Sequence, residues 1–178
     1  MKTLETERLI LREFRETDLE DFYEYAKSPN IGPRAGWPPH KSKEDSLGIL
    51  NKFKESNEVW ALIDKESNKL IGSLGLHKDH IRSAEDAKML GYVLSEDYWG
   101  QGLMVEAAKA AIRYAFENLN IKLLTIHHYS FNLQSKRVIE KCGFLYEGTL
   151  RHAAQIYDGS VYDLVCYSMT KEEWAHTR

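Results

Sequence analysis

Cysteine is scarce in this chain. The two present, Cys142 and Cys166, stand in no Cys-x-x-Cys or other metal-type spacing. That excludes a disulfide scaffold and a thiolate zinc site, and it makes a cytoplasmic protein with reduced thiols the expectation. Proline is confined to residues 29–39, so no helix or strand elsewhere is broken by it. No apolar run reaches the length that crosses a bilayer, and Met1 to Arg12 lacks the apolar core of a signal peptide. No excess of positive charge exists either. A net charge of −3 and a pI near 6.2 argue against broad nucleic-acid binding and against a membrane surface as partner. Internal repeats, low-complexity tracts and linkers are absent as well. What remains is 178 residues, 43% of them hydrophobic, enough for a single domain spanning residues 1–178 with its own core.

Apolar spacing divides the chain into short elements. Arg8–Arg12 reads as a strand, and Thr17-Asp18-Leu19-Glu20 has capping-box form before Leu19, Phe22, Tyr23 and Ala26 at helical spacing. Pro29 to Pro39 is a loop that ends in Trp37-Pro38-Pro39-His40. Ser42-Lys43-Glu44-Asp45 opens a second helix carrying Leu47, Leu50 and Phe53. Strands follow at Val59–Ile63, Leu70–Leu76 and Ala87–Leu94. Gly102–Leu119 is an amphipathic helix with Met104, Ala108, Ala111, Ile112, Ala115, Phe116 and Leu119 on its apolar side. Leu123–His128 is a strand, Asn132–Lys141 a helix stopped by Gly143, and Phe144–Ile156 with Val161–Met169 a hairpin about Asp158-Gly159. The strand–helix–strand crossover from Ala87 to His128 requires a parallel pair. The expected fold is α+β: a mixed, mostly antiparallel twisted sheet flanked by helices, with one parallel βαβ crossover.

Gly91 to Gly102 carries the chemistry. A buried strand runs into a polar loop and two glycines, Gly100 and Gly102, which open the long helix. Glycine lets backbone approach a ligand closely, and the first turn of a helix offers N–H groups without partners in the helix. Together they suit a phosphate-bearing molecule. A Rossmann dinucleotide site fits poorly, because Val105 stands where the third glycine of GxGxxG belongs and only one parallel crossover is present.

Several segments in order resemble the GNAT superfamily of acyl-CoA-dependent N-acyltransferases, and within it the branch that acetylates ribosomal-protein N-termini. They are Thr6-Glu7-Arg8-Leu9-Ile10-Leu11-Arg12, Ile71-Gly72-Ser73-Leu74-Gly75-Leu76, Gly91-Tyr92, Tyr98-Trp99-Gly100-Gln101-Gly102, Glu106-Ala107, Asn132-Leu133-Gln134-Ser135 and Glu140-Lys141-Cys142-Gly143-Phe144. Glu147-Gly148 and Leu150-Arg151 continue the likeness. The resemblance implies acetyl-CoA as cosubstrate, no metal, and a primary amine as acceptor. That acceptor is a protein N-terminus first, with a small amine such as a polyamine, amino acid or antibiotic as the alternative. A non-catalytic acyl-CoA-binding module is a further alternative. Exposed strand edges in the final hairpin also allow a homodimer.

By the same resemblance the pantetheine arm pairs with backbone of Tyr92, Val93 and Leu94 where the parallel strands splay. The pyrophosphate meets backbone N–H groups of Trp99, Gly100, Gln101, Gly102, Leu103 and Met104. The family pattern carries Gln or Arg where this chain has Asp97, so the backbone bears most of that work. Asn132 resembles a cofactor-contacting residue, and its type also suits a helix N-cap. Ser135 is the candidate acid for the leaving thiolate, because the place of the family's tyrosine looks like Ile139. Relatives carry a Glu where Met89 stands, and methionine takes no proton. Glu85, Asp86, His77, His80 and Glu147 are the nearby candidate bases, beside a water chain. Trp37 and Tyr157 are candidate acceptor-site residues, or else a core anchor and a turn aromatic. His127 and His128 face opposite sides of a strand and read as structural.

Overall fold

Arg12 and Asp18 show how local signals are overruled by packing. In the computed structural model, which describes residues 1–176, the Asp18 carboxylate takes both Arg12 Nη atoms at 2.7 and 2.8 Å and the Arg15 N–H at 2.7 Å. It thereby serves the N-cap backbone of the turn before α1 and makes no cap bond to α1 itself. The expected box at Thr17–Glu20 is replaced by a 3-10 turn at Glu16–Asp18, and α1 (Leu19–Ala26) starts with no side-chain cap. The box that opens α2 (Lys43–Ser56) does form: Ser42 Oγ accepts the Asp45 N–H, and Asp45 Oδ2 accepts the Ser42 N–H, each at 3.2 Å.

The strands are β1 (Leu4–Glu5), β2 (Leu9–Arg12), β3 (Val59–Asp64), β4 (Leu70–Lys78), β5 (Ala87–Leu94), β6 (Leu123–Tyr129), β7 (Leu145–Gln155) and β8 (Val161–Thr170). They form one mixed sheet in the order β1-β2-β3-β4-β5-β6-β8-β7. β5 and β6 are its parallel pair, and the ladders β1–β2, β2–β3, β3–β4, β6–β8 and β7–β8 are antiparallel. The remaining helices are α3 (Leu103–Asn118), α4 (Leu133–Lys141) and α5 (Lys171–His176). Two-residue β1 and six-residue α5 are too short to give a periodic signal, and neither is expected from the sequence. α3 ends at Asn118, so Leu119 lies past the helix and is 39% exposed rather than part of the apolar face.

The described residues fold into two compact units, residues 1–75 with 92–110, and residues 76–91 with 111–176. In the first, α1 and α2 pack with β3 around Phe14, Phe22, Tyr25, Leu50 and Ala61, and Val93 closes the edge of this cluster. Phe14 meets Phe22 and Phe53 with ring centroids 5.6 and 5.2 Å apart. In the second unit, Leu124–Met169, Ile126–Tyr167 and His128–Val165 are cross-strand pairs on one face of the β6–β8 ladder, while Thr125–Ser168 and His127–Cys166 lie on the other. The first face is buried under helix: α4 runs out at Gly143, where an added Cβ would stand 3.6 Å from the Met169 methyl.

Candidate active site

Residues 92–110, from the end of β5 through the loop into the first turns of α3, lie in the first unit. Gly72 of β4 lets the chain pass close to β5, since a Cβ there would stand 2.4 Å from the Val93 carbonyl oxygen. Ser95 N–H then donates to Ile71 O at 2.7 Å, and Trp99 Nε1 donates to Leu94 O at 2.8 Å. These bonds end the strand and fold the loop back. Gly100 and Gly102 adopt φ of +78° and +79°, the left-handed region that side chains avoid. A Cβ on Gly100 would meet nothing within 4 Å, and one on Gly102 only Arg8 Nη2 at 3.8 Å. The two glycines are therefore demanded by backbone shape, and the space above them is open. Leu103 and Met104 begin α3, whose first N–H groups have no partner within the helix.

Arg8 fixes this loop from the first strand of the motif. Its backbone N–H and Nε donate to the two Glu106 carboxylate oxygens, each at 2.8 Å, and Nη1 donates to Gln101 O at 3.0 Å. Burial pushes the Glu106 carboxyl up, but hydrogen bonds from Thr6 and Arg8 outweigh it and leave the group below its usual range. Two motifs that the sequence shows only as separate signatures, Thr6–Arg12 and Glu106-Ala107, are thus one clamp. Asp97 is exposed and offers no cation to an anion at the loop. Glu96, next to it, is held by Ser28 Oγ at 2.7 Å and Asn30 Nδ2 at 2.9 Å. Trp37 packs on Gly32 and against the aromatic cluster of α1 and α2, with its ring 5.2 Å from His40.

The second unit holds the fork. β5 and β6 are paired at Ala87–Leu123, Lys88–Leu124 and Met89–Thr125, and the register stops there. Thr125 is tied at this point: its hydroxyl donates to Asp79 Oδ2 at 2.8 Å. Asp79 is 2% exposed. It also accepts Ile81 N–H at 2.7 Å, Arg82 N–H at 3.2 Å and Arg82 Nη1 at 3.0 Å. Arg82 carries the chain on to Glu147 Oε2, so Glu147 is an ion-pair partner here. The sequence reading missed Asp79. An Asp just past a strand, bonding N–H groups two and three residues on, is the one local signal that marks it.

The other expected residues fall as follows. His77 of β4 lies on Gly91: a Cβ added there would stand 3.5 Å from its Cδ2 and 3.6 Å from its Nε2. Glu85 is exposed in the loop before β5, about 13 Å or more from Gly91 at the usual strand rise. The structure therefore does not bring Glu85 and His77 to the same end of β5. Asn132 caps α4, accepting the Ser135 N–H at 3.2 Å, and Ser135 is half-buried in the first turn. Tyr157 is 47% exposed in the tight turn closed by Ile156 N–H to Ser160 O at 2.9 Å. The Cys166 thiol is pushed up by burial, which suits an inert side chain. Among the described residues no group of His, Cys, Asp and Glu is placed to hold a metal, and no helix is long and apolar enough to cross a membrane.

Comparison with known proteins agrees with this layout. Residues 8–145 match the family model described as the acetyltransferase (GNAT) domain. The uncharacterized N-acetyltransferase YnaD of Bacillus subtilis is 30% identical over 95% of this chain and 97% of its own. The ribosomal protein uS5-alanine N-acetyltransferase of Escherichia coli is 27% identical over 98% of this chain and 94% of its own. A GNAT-family acetyltransferase crystal structure from Bacillus anthracis superposes with a TM-score of 0.88 at 25% identity, covering 97% of this chain and all of that one. The motif-bearing elements, the loop with its two left-handed glycines and the matched span together establish that the chain belongs to the GNAT acetyltransferase family.

Proposed function

We propose that this acetyltransferase moves the acetyl group of acetyl-CoA to a primary amine by direct attack, with a protein N-terminal α-amine as the preferred acceptor. The observation that carries the donor is the pair of left-handed glycines, Gly100 and Gly102, under open space at the start of α3. Backbone N–H groups from Trp99 to Met104 bind the pyrophosphate, and backbone of Tyr92, Val93 and Leu94 pairs with the pantetheine arm. The acceptor reading draws support from the uS5-alanine enzyme of E. coli, which is similar over nearly the whole chain.

The chemistry is a balanced acyl exchange. The neutral amine forms the new N–C bond, the C–S bond breaks, the ammonium proton leaves, and the thiolate gains a proton. His77, set against Gly91, has the better placement of the two proposed bases; Glu85 sits at the other end of β5. Ser135 on α4 is the proposed proton donor to the thiolate, with Asn132 holding its backbone. Trp37 is proposed to shape the acceptor site from beneath the 29–39 loop, and Tyr157 from the β7–β8 turn.

Thiol release from acetyl-CoA against N-terminal peptides and small amines tests this. Peptide-dependent release is expected, with Ser135→Ala lowering kcat roughly ten- to hundredfold. Release with small amines alone moves the acceptor to metabolites or antibiotics. CoA binding without release under any acceptor leaves a binding module.

A further inference from the structure

Glu96 joins two loops that lie 66 to 68 residues apart in the sequence. It opens the 3-10 turn Glu96–Tyr98 that leads to Trp99 and the glycines. The Ser28 hydroxyl donates to its Oε1, and the Asn30 side-chain amide donates to its Oε2. The Ser28 oxygen in turn accepts the Asn30 backbone N–H at 3.1 Å, so three hydrogen bonds close a ring around the carboxylate. An ionised acceptor makes such bonds roughly twice as strong as neutral ones. A second contact lies three residues on. The Arg34 guanidinium stands 5.5 Å from the centre of the Trp99 ring, and its charge also reaches the Glu96 carboxylate. Trp99 is itself fixed by its Nε1 bond to Leu94 O. Trp37 and Trp99 pack against one and the same apolar cluster. All of these residues belong to the first unit.

The backbone of the 28–37 loop is bonded locally. The N–H groups of Ile31, Arg34, Gly36 and Trp37 all donate to carbonyls three to five residues back. Such bonds shape a turn without placing it, so the loop takes its place from side-chain ties, and these run to Glu96 and Trp99. We propose that Glu96 is a positioning residue: through its hydrogen bonds to Ser28 and Asn30 it couples the two loops, so that acyl-CoA seated on Gly100 and Gly102 steadies the 28–37 loop that carries Trp37. This rests on the acetyl-CoA reading above and adds to it a route by which a filled donor site shapes the surroundings of the acceptor. A ligand that stills one partner of a bonded pair leaves the other with less freedom to lose, and the coupling acts equally in both directions. Glu96 touches neither substrate in this role.

Amide hydrogen exchange with and without saturating CoA tests this in wild type, Glu96→Ala and Glu96→Gln. Ala removes both acceptor oxygens. Gln keeps an oxygen for Asn30 and offers Ser28 a donor instead of an acceptor, which a hydroxyl can use. In wild type, CoA should slow exchange across residues 30–37 about tenfold, an ordinary size for coupling between two sites. In Ala that slowing should fall below about twofold, and in Gln it should return to within about threefold of wild type. Slowing at residues 99–104 should persist in all three proteins, because the donor still binds. CoA-dependent slowing across 30–37 that is unchanged in Ala overturns the proposal, even if the free variant exchanges faster, since Glu96 would then be merely structural. So does wild-type protein that binds CoA with no slowing there, or a Gln variant as poor as Ala, which would deny the hydrogen bonds their part. Loss of CoA binding in Ala also overturns it, by confining Glu96 to the donor loop. Wild-type protein that fails to bind CoA would sink the acetyl-CoA reading itself, a different result from any of these.

Discussion

Gly102→Val should leave a folded protein that binds CoA about a thousandfold more weakly. The glycine sits at φ +79°, where a β-branched residue is strained by roughly 2 kcal/mol. Sterics of the new side chain add little, since the Cβ would meet only Arg8 Nη2 at 3.8 Å. Strain of that size lowers the melting temperature of a chain this long by about 4–8 °C, which is tolerable. The backbone will relieve it by rotating toward negative φ, and the N–H groups of Gly102, Leu103 and Met104 turn with it. Losing two charge-assisted hydrogen bonds to a pyrophosphate, each about 2 kcal/mol, gives the thousandfold. Calorimetric titration of CoA beside a thermal melt reads both quantities. Wild-type affinity in a folded variant would remove the loop from the donor site.

Asp79→Ala is the largest expected loss of stability, about 3–4 kcal/mol. The carboxylate is almost fully buried and serves four donors: two backbone N–H groups, the Arg82 guanidinium and the Thr125 hydroxyl. Deleting it leaves those donors unmet and the Arg82 charge half-paired. Burial pushes this carboxyl upward, yet the hydrogen bonds from Ile81, Thr125 and Arg82 outweigh burial and hold it below the ordinary value. A depressed carboxyl adds stability that is complete above its unfolded pKa of about 3.9 and is lost as pH falls through the lower folded value. Urea melts from pH 7 to pH 2.5 should therefore show a steep acid limb in wild type and a shallower one in the variant. Parallel curves, offset by a constant, would mean that Asp79 is not the group that titrates.

Much of the layout was readable from short-range signals. Asp158-Gly159 marks its hairpin, Asn132 caps α4, Gly143 stops it, and the crossover from β5 to β6 gives the parallel pair. Each of these depends on neighbours within a few residues, which is the range over which periodicity and turn chemistry act. The clamp of Arg8 on Glu106 and the tie of Thr125 to Asp79 join residues 98 and 46 positions apart, and no local pattern encodes them. Trp37 shows the same limit. Its neighbours Pro38 and Pro39 announce a loop, while its seat on Gly32 is a matter of tertiary packing. The Thr17–Glu20 box is the reverse case, a good local signal displaced by the 3-10 turn at Glu16–Asp18.

The Arg8–Glu106 clamp also dates the loop within folding. Contacts between residues far apart in sequence must close a long chain segment before they return any energy, and they form slowly for that reason. Gly100 and Gly102 have no side chains with which to nucleate structure by themselves. During synthesis, Arg8 leaves the ribosome long before its carboxylate partner exists. The loop from Ser95 to Gly102 is consequently assembled after α3 has emerged, so through most of its synthesis a nascent chain lacks the clamp that holds it.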